Sequence, residues 1–385
     1  MANMDITIVG VGGAGCRIAD RVVDALGDCA TVIALNTDTR ALEDSHAATR
    51  LQIGASRTGG LGTGGDASIG RLAAEDDVEL IRGLFPDTRF ALVVACLGGG
   101  TGTGAAPVVL REAREAGALT LCLATLPCDF EGEQKRSEAH DALGDLRAAA
   151  DAVIVVPNDR LFESVGAADL EGTFRRADAA IGTCIGSLVK MIDQPGQINL
   201  DFADLQQIVR SSGGACTMGY GEGEGDDRSG AALAALLESP LLEKGRVLER
   251  SESILVSLVG GPDLTVKDVG KIMSALTAKA REGCRVSMGT VIDETWQGRV
   301  TVTVLAAEER LDKPVRKVAA PPVEYEAGSA KVARGRKKTR KSAAQTVLRL
   351  DTYGKGRFKD VEPTLFDGED LDIPTFVRRG IAIDK

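Results

Sequence analysis

Three glycine-rich runs are the residues of this chain best suited to chemistry: GVGGAG at Gly10–Gly15, GGLGTGG at Gly59–Gly65 and GGGTGTG at Gly98–Gly104. Small residues let successive backbone N–H groups point into one cavity, and a helix starting in such a run directs its positive end at the same place. One such run holds a diphosphate; two or more facing each other can surround a triphosphate. The first run also fits the GxGxxG turn of a dinucleotide site, with Asp38 near the position of a ribose-binding acid. A dehydrogenase has no use for the other two runs, and the GxxxxGK[ST] pattern of a P-loop nucleotidase is absent.

The elements that must present these runs can be read around them. Ile6–Val9, Thr31–Leu35, Phe90–Leu97, Leu119–Leu126 and Val153–Val156 are short, near-continuous apolar runs, as in strands buried on both faces. They alternate with helical patterns, so the first half reads as a parallel sheet covered by helices. Ile18, Val22, Val23 and Leu26 have helical spacing, so the first glycine run joins a strand to a helix. A longer helix with a wide apolar stripe runs from Ala177 to Ile192, stopped by Pro195 and Gly196, and is expected to pack between two bodies. A helix near Ala231–Leu237, a strand at Ile254–Val259, a helix near Val266–Ala280 and strands near Arg285–Ile292 and Arg299–Leu305 read as a smaller α/β domain. Beyond Glu309 the chain turns to proline, alanine and charge, including a basic cluster at Lys331–Lys341, which reads as a disordered linker. The segment DGEDLDIPTFVRRG, Asp367–Gly380, reads as a peptide that folds on a partner.

The bulk numbers exclude several classes. With 385 residues, 44% hydrophobic and 26% charged, the chain suffices for two globular domains. No apolar run approaches the roughly 18 residues of a membrane span, and MANMDITIVG carries no cleavable leader pattern, so a cytoplasmic protein is expected. A net charge of −10 argues against general nucleic-acid affinity. The eight cysteines are scattered without a CxxC pair and read as reduced and structural; with only His46 and His140, no protein metal site is expected. Chemistry must then rest on carboxylates, backbone amides or a bound cation.

GGGTGTG resembles the signature of the tubulin/FtsZ superfamily, and the chain from Asp5 to about Ala307 is similar to FtsZ, the tubulin-like cell-division GTPases of bacteria. The similarity runs through GVGGAG, NTD at Asn36–Asp38, GLGTGG, GGGTGTGAAP, FEG at Phe130–Gly132, PNDRL at Pro157–Leu161 and INLDFADL at Ile198–Leu205, and resumes in LDIPTFVRR at Leu371–Arg379. It implies a Rossmann-like GTP-binding domain with a parallel sheet (residues 1–175), a central core helix (176–198), a smaller GTPase-activating α/β domain (199–308), a basic linker (309–366) and a partner-binding tail (367–385). The implied ligands are GTP and GDP, with Mg2+ bound through the phosphates.

The resemblance carries the phosphate cradle onto Gly12, Gly13, Asn36, Thr63, Gly64, Gly65, Gly99, Gly100, Thr101, Gly102 and Thr103. It makes Glu131 a ribose contact, Phe174 a base-stacking ring, and Asp178 the acceptor for guanine N1–H and N2–H, a donor pair adenine lacks. Asn199, Asp201 and Asp204 match the loop that enters the next subunit's site, so hydrolysis would require a head-to-tail filament; read alone, those carboxylates suit a helix N-cap. Asp372, Ile373, Pro374 and Phe376 match the tail that binds a membrane-anchoring division adaptor. Four positions depart from the family: Arg17 for an asparagine at the base, Lys135 for an arginine, Thr63 for an alanine, and Asp66 for an asparagine, the last an added anion beside the terminal phosphate. These motivate an alternative, a divergent paralogue that scaffolds or caps filaments with little hydrolysis. A nicotinamide oxidoreductase rests only on Gly10–Gly15 and Asp38.

Overall fold

The computed structural model describes residues 5–165, 169–193, 196, 198, 200, 202–211, 215–308, 365–366 and 369–370. From the amino end the elements are β1 (Ile6–Val11), α1 (Gly12–Leu26), β2 (Thr31–Asn36), α2 (Thr39–Glu43), β3 (Thr49–Gln52), α3 (Ala55–Thr58), α4 (Ala67–Asp76) and α5 (Val78–Arg82). Then come β4 (Phe90–Cys96), α6 (Gly100–Glu115), β5 (Leu119–Leu126), α7 (Glu133–Ala149), β6 (Ala152–Pro157), α8 (Asn158–Val165) and α9 (Leu170–Asp193). The second half holds α10 (Phe202–Ser211), β7 (Ala215–Glu224), α11 (Arg228–Glu238), α12 (Arg246–Arg250), β8 (Ser251–Gly260), α13 (Val266–Lys279), β9 (Arg285–Ile292) and β10 (Arg299–Glu308). Farther on, β11 (Leu365–Phe366) and β12 (Glu369–Asp370) pair antiparallel. The rest of the expected linker and tail, including Lys331–Lys341 and Asp372, Ile373, Pro374 and Phe376, lies outside the described residues.

Strands β1 to β10 form one sheet in the order β3-β2-β1-β4-β5-β6-β7-β10-β8-β9. The first six are parallel, as their buried apolar runs predict. Successive residues of β1 feed opposite faces: Ile6 and Ile8 join the core under α1 and α9, while Val9 and Val11 join the core that includes α6 and α7. The smaller α/β half does not form a separate sheet. It joins through β6 and β7 at two registered pairs, Val153 with Ala215 and Ile154 with Cys216, then turns antiparallel through β10 and β8.

The long helix predicted from the Ala177–Ile192 stripe is α9, whose buried positions include Ala177, Ile181, Ile185, Leu188 and Ile192. It packs against α1 on one side and strands β7 to β10 on the other, which explains why its stripe is wide. Gly182 allows the close approach to α1: a Cβ there would come within 2.8 Å of the Arg21 Cβ.

The first glycine run joins a strand to a helix, as its flanks predict: β1 continues through Val11 and α1 begins at Gly12. The strand β7, ACTMGYGEGE, does not appear among the apolar runs, because Gly219, Gly221 and Gly223 occupy alternate positions of one face. A Cβ on any of these three would run into Leu242 or the backbone of α11, so the absence of side chains lets a helix rest on the strand.

Candidate functional site

In a sheet ordered 3-2-1-4-5 the strand order reverses between β1 and β4, and a crevice opens at the carboxyl ends of the strands there. This crevice is a cleft of about 490 Å3, and all three glycine runs reach it. The starts of α1 and α6 lie side by side at its floor: Gly12 has φ +74°, and a Cβ on it would stand 2.9 Å from the Gly102 nitrogen. Only glycine meets both constraints.

Neither helix has a side-chain cap, and neither carries an acid in its first turn. A 15-residue and a 16-residue helix therefore both present unsatisfied N–H groups and positive dipole ends to one cavity. Gly13, Gly99 and the loop residues Gly64 and Gly65 have no atoms in the space a Cβ would take, leaving room for a ligand to approach their amides. The charged side chains lining the cleft are two cations, Arg17 and Lys135, and three carboxylates, Asp38, Glu131 and Asp178. Anion binding here must rest on backbone dipoles rather than on a lysine cluster.

Asn36 ends β2 beneath this cradle and is 2% exposed. Its Oδ1 accepts the Thr37 N–H at 2.8 Å, but its Nδ2 is buried without a partner. A buried donor left unmade costs about 1–3 kcal/mol, so one aimed at a cleft wall marks a place for an acceptor. Thr101, with its hydroxyl 2.7 Å from that of Thr37, and Thr63 also line the cleft. Thr103 does not: its hydroxyl accepts the Gly98 N–H at 3.0 Å and braces the turn before α6.

At the other end of the cleft, Phe174 on α9 stands edge-on to Phe162 on α8, with ring centroids 4.9 Å apart. Asp178, one turn later, has a side chain only 10% exposed. Burial pushes its carboxyl above the ordinary carboxylate range, and Arg17, then Arg21, pull it partly back. The Arg17 Nε lies 3.5 Å from Asp178 Oδ2. Glu131 accepts the Cys128 N–H at 3.0 Å with one oxygen and faces the Lys135 ammonium at 3.3 Å with the other. The thiols Cys16 and Cys96, raised to about 12 and about 11 by burial, stay neutral in this region.

The sequence brings together in this cleft Gly12, Gly13, Arg17, Asn36, Thr63, Gly64, Gly65, Gly99, Gly100, Thr101, Gly102, Glu131, Lys135, Phe174 and Asp178. It misses Phe162 and Asn158, which also line the cleft; their signal was PNDRLF, which runs from the end of β6 into α8. Asp66 is not a loose anion at the phosphates. Its Oδ1 accepts the N–H groups of Ser68 at 2.8 Å and Ile69 at 3.4 Å, making it the N-cap of α4.

Asn199 and Asp201 lie outside the described residues. Asp204 sits in the first turn of α10, away from the cleft. Phe202, which opens that helix, packs under the Arg89 guanidinium at 5.4 Å, and Arg89 immediately precedes β4. The cleft takes Cys96 and Leu97 from the opposite end of that strand. A strand of this span is roughly 20 Å long at about 3.3 Å per residue, so the carboxylate and the cleft lie at opposite ends of the sheet. Among the described residues no group of three or more His, Cys, Asp or Glu is arranged to hold a metal. None of their helices is long and apolar enough to cross a membrane.

Residues 5–166 match the GTPase domain of the Tubulin/FtsZ family, and residues 214–309 match the FtsZ family C-terminal domain. The chain is 36% identical over 300 residues to cell division protein FtsZ 1 of Archaeoglobus fulgidus, covering 78% of this chain and 81% of that protein. It is 37% identical over 301 residues to cell division protein FtsZ 1 of Halobacterium salinarum, covering 78% and 75%. Among solved structures, an empty FtsZ dimer from M. jannaschii aligns with a TM-score of 0.74 and 32% identity, covering 79% of this chain and 88% of that one. A GTPγS-bound protofilament of CetZ2 from Haloferax volcanii shares the fold at a TM-score of 0.65 and 24% identity, covering 80% and 94%. With relatives of this identity along both halves, the chain belongs to the Tubulin/FtsZ family of GTPases, and within it to the FtsZ cell-division proteins.

Proposed function

We propose that this chain is a GTP-dependent filament protein of cell division that hydrolyses GTP where the α10 end of one copy meets the cleft of the next. What supports this is that the cleft and the Asp204 helix lie at opposite ends of one sheet. In a head-to-tail stack each copy's α10 end would face the amide cradle of the next.

In this reading the phosphates sit on the first turns of α1 and α6 with Asn36 and Thr101 donating, Glu131 meets the ribose, and Phe174 and Asp178 hold the base. The neighbour's Asp201 and Asp204, with Asn199, orient the attacking water, the step a phosphoryl transfer leaves to the protein once charge is neutralised. Bound Mg2+ would supply that neutralisation on the phosphate oxygens. Asp38, a cleft carboxylate with no salt-bridge partner among the described residues, and the threonine hydroxyls are hard oxygen donors that suit it. Loss of the terminal phosphate removes contacts beside Thr63–Gly65 and weakens the joint. The tail around Asp372–Phe376 would tether the filament to a membrane-anchoring adaptor at the division site in the cytoplasm.

Turnover per subunit is expected to rise with protein concentration, and Asp204→Ala to abolish it while GTP stays bound. Turnover independent of concentration overturns in-trans hydrolysis. A second reading, a filament scaffold with little hydrolysis, is favoured by the Glu131–Lys135 and Arg17–Asp178 pairs, which occupy groups assigned to the ligand. Light scattering separates the two: filaments that persist after GTP is exhausted belong to a scaffold.

A further inference from the structure

Behind the phosphate cradle stands a threonine that does not itself line the cleft. Thr37 directly follows β2 and is fully buried. Its backbone is held on both sides: the N–H donates to Asn36 Oδ1 at 2.8 Å, and the carbonyl accepts the Thr58 hydroxyl at 3.4 Å. Its own hydroxyl meets one partner among the described residues, the Thr101 hydroxyl at 2.7 Å. Thr101 belongs to the first turn of α6 and lines the cleft.

Two hydroxyls at this distance share one hydrogen bond, so one of them gives its proton and the other keeps its proton for a different acceptor. If Thr101 gave the proton, that of Thr37 would be left inside the protein with no acceptor, the costlier arrangement. If Thr37 gives it, the Thr101 proton is the one left over, and Thr101 has the cleft in front of it. Resting on the nucleotide reading above, we propose that Thr37 is a positioning residue: it donates to Thr101 and so turns the Thr101 proton into the cleft, toward a phosphate oxygen. The same residue of α6 then offers one anion both its hydroxyl and a first-turn backbone N–H that no helix carbonyl takes up. Thr37 acts from 64 positions away, by denying the Thr101 hydroxyl the other staggered positions it could adopt.

Displacement of a fluorescent GDP analogue by GTP tests it in the full chain, alongside the melting temperature without nucleotide. Thr37→Val, which keeps the shape and removes the hydroxyl, is expected to bind GTP roughly three- to tenfold more weakly, while Thr37→Ser stays within about twofold of wild type. In the Thr101→Val background, adding Thr37→Val is expected to change affinity no further. It should also raise the melting temperature of that background, because Thr101→Val strands the buried Thr37 proton and the second change removes it. The positioning role is overturned by a Thr37→Val chain that binds GTP as tightly as wild type, by a Thr37→Ser chain as weak as Thr37→Val, or by a loss at Thr37 that persists in full in the Thr101→Val background. A melting temperature that falls further in the double variant overturns the direction of the bond. If Thr101→Val does not fold, the contrast between serine and valine at Thr37 decides alone. Failure of wild type to bind GTP overturns the nucleotide reading itself, and this proposal with it.

Discussion

Asn36 separates a residue kept for a ligand from one kept for the fold. Its Oδ1 serves the backbone at Thr37, so that half of the amide is structural; its Nδ2 has no partner and is a cost in the ligand-free chain. Asn36→Asp keeps the serving oxygen and turns the orphan donor into an acceptor facing the phosphates. The buried carboxylate lowers the melting temperature of the ligand-free chain, and the rise in melting temperature on adding GTP should largely disappear, with affinity at least about tenfold weaker. A variant that keeps the full GTP-induced rise would show that the amide is structural. At this scale the sequence disclosed the residue types of the cradle, because glycine, threonine and asparagine at strand ends say what they donate. It did not disclose the Arg17–Asp178 pair, whose members are 161 positions apart and meet only because two helices pack through a glycine.

The glycine-rich elements divide by what their missing side chains admit. At Gly13 and Gly99, beside the α1 and α6 starts, the space of a missing side chain is open to the cleft; at Gly104 it faces protein, since a Cβ there would strike the Ala67 carbonyl and hold α4 off α6. The strands β1, β2, β4, β5 and β6 were legible because two-sided burial makes their sequences continuously apolar. The strand β7 was not, because its glycine face carries no hydrophobic signal and is specified by the helix lying on it. The helix α4 carries the same lesson for the site. Asp66 read alone is a charge beside a phosphate, whereas the helix that begins at Ala67 turns it into a cap. Asp66→Asn should therefore keep both stability and GTP affinity close to wild type, and Asp66→Ala should cost about 1 kcal/mol of stability as a lost N-cap. Urea unfolding and nucleotide titration read the two quantities separately. A gain in GTP affinity of tenfold or more in Asp66→Asn would restore the phosphate-repulsion reading.

For the whole molecule, a site split between two ends of one body works only if the spacing of those ends is fixed. The described body is tied accordingly: Lys190 on α9 meets Asp293 at 2.9 Å, the Ser187 and Ser257 hydroxyls meet at 3.1 Å, and Arg160 on α8 reaches Glu243 at 3.2 Å. Glu243 also pairs with Arg250, and the two arginines, Arg250 first, hold its carboxyl down at about 2. The two ends of such a body can be broken independently. Asp204→Ala keeps the cleft and loses the far carboxylate; Asn36→Asp keeps the carboxylate and weakens the cleft. If each joint in a head-to-tail assembly combines one copy's cleft with its neighbour's α10, both variants should be nearly inactive alone, while an equimolar mixture should recover up to about a quarter of wild-type turnover, because half the clefts are intact and half their neighbours carry Asp204. A site complete within one copy predicts that mixing adds nothing beyond the sum of the two residual activities. Phosphate release measured across mixing ratios distinguishes the cases, since recovery through a shared joint peaks near equal amounts and vanishes at both extremes.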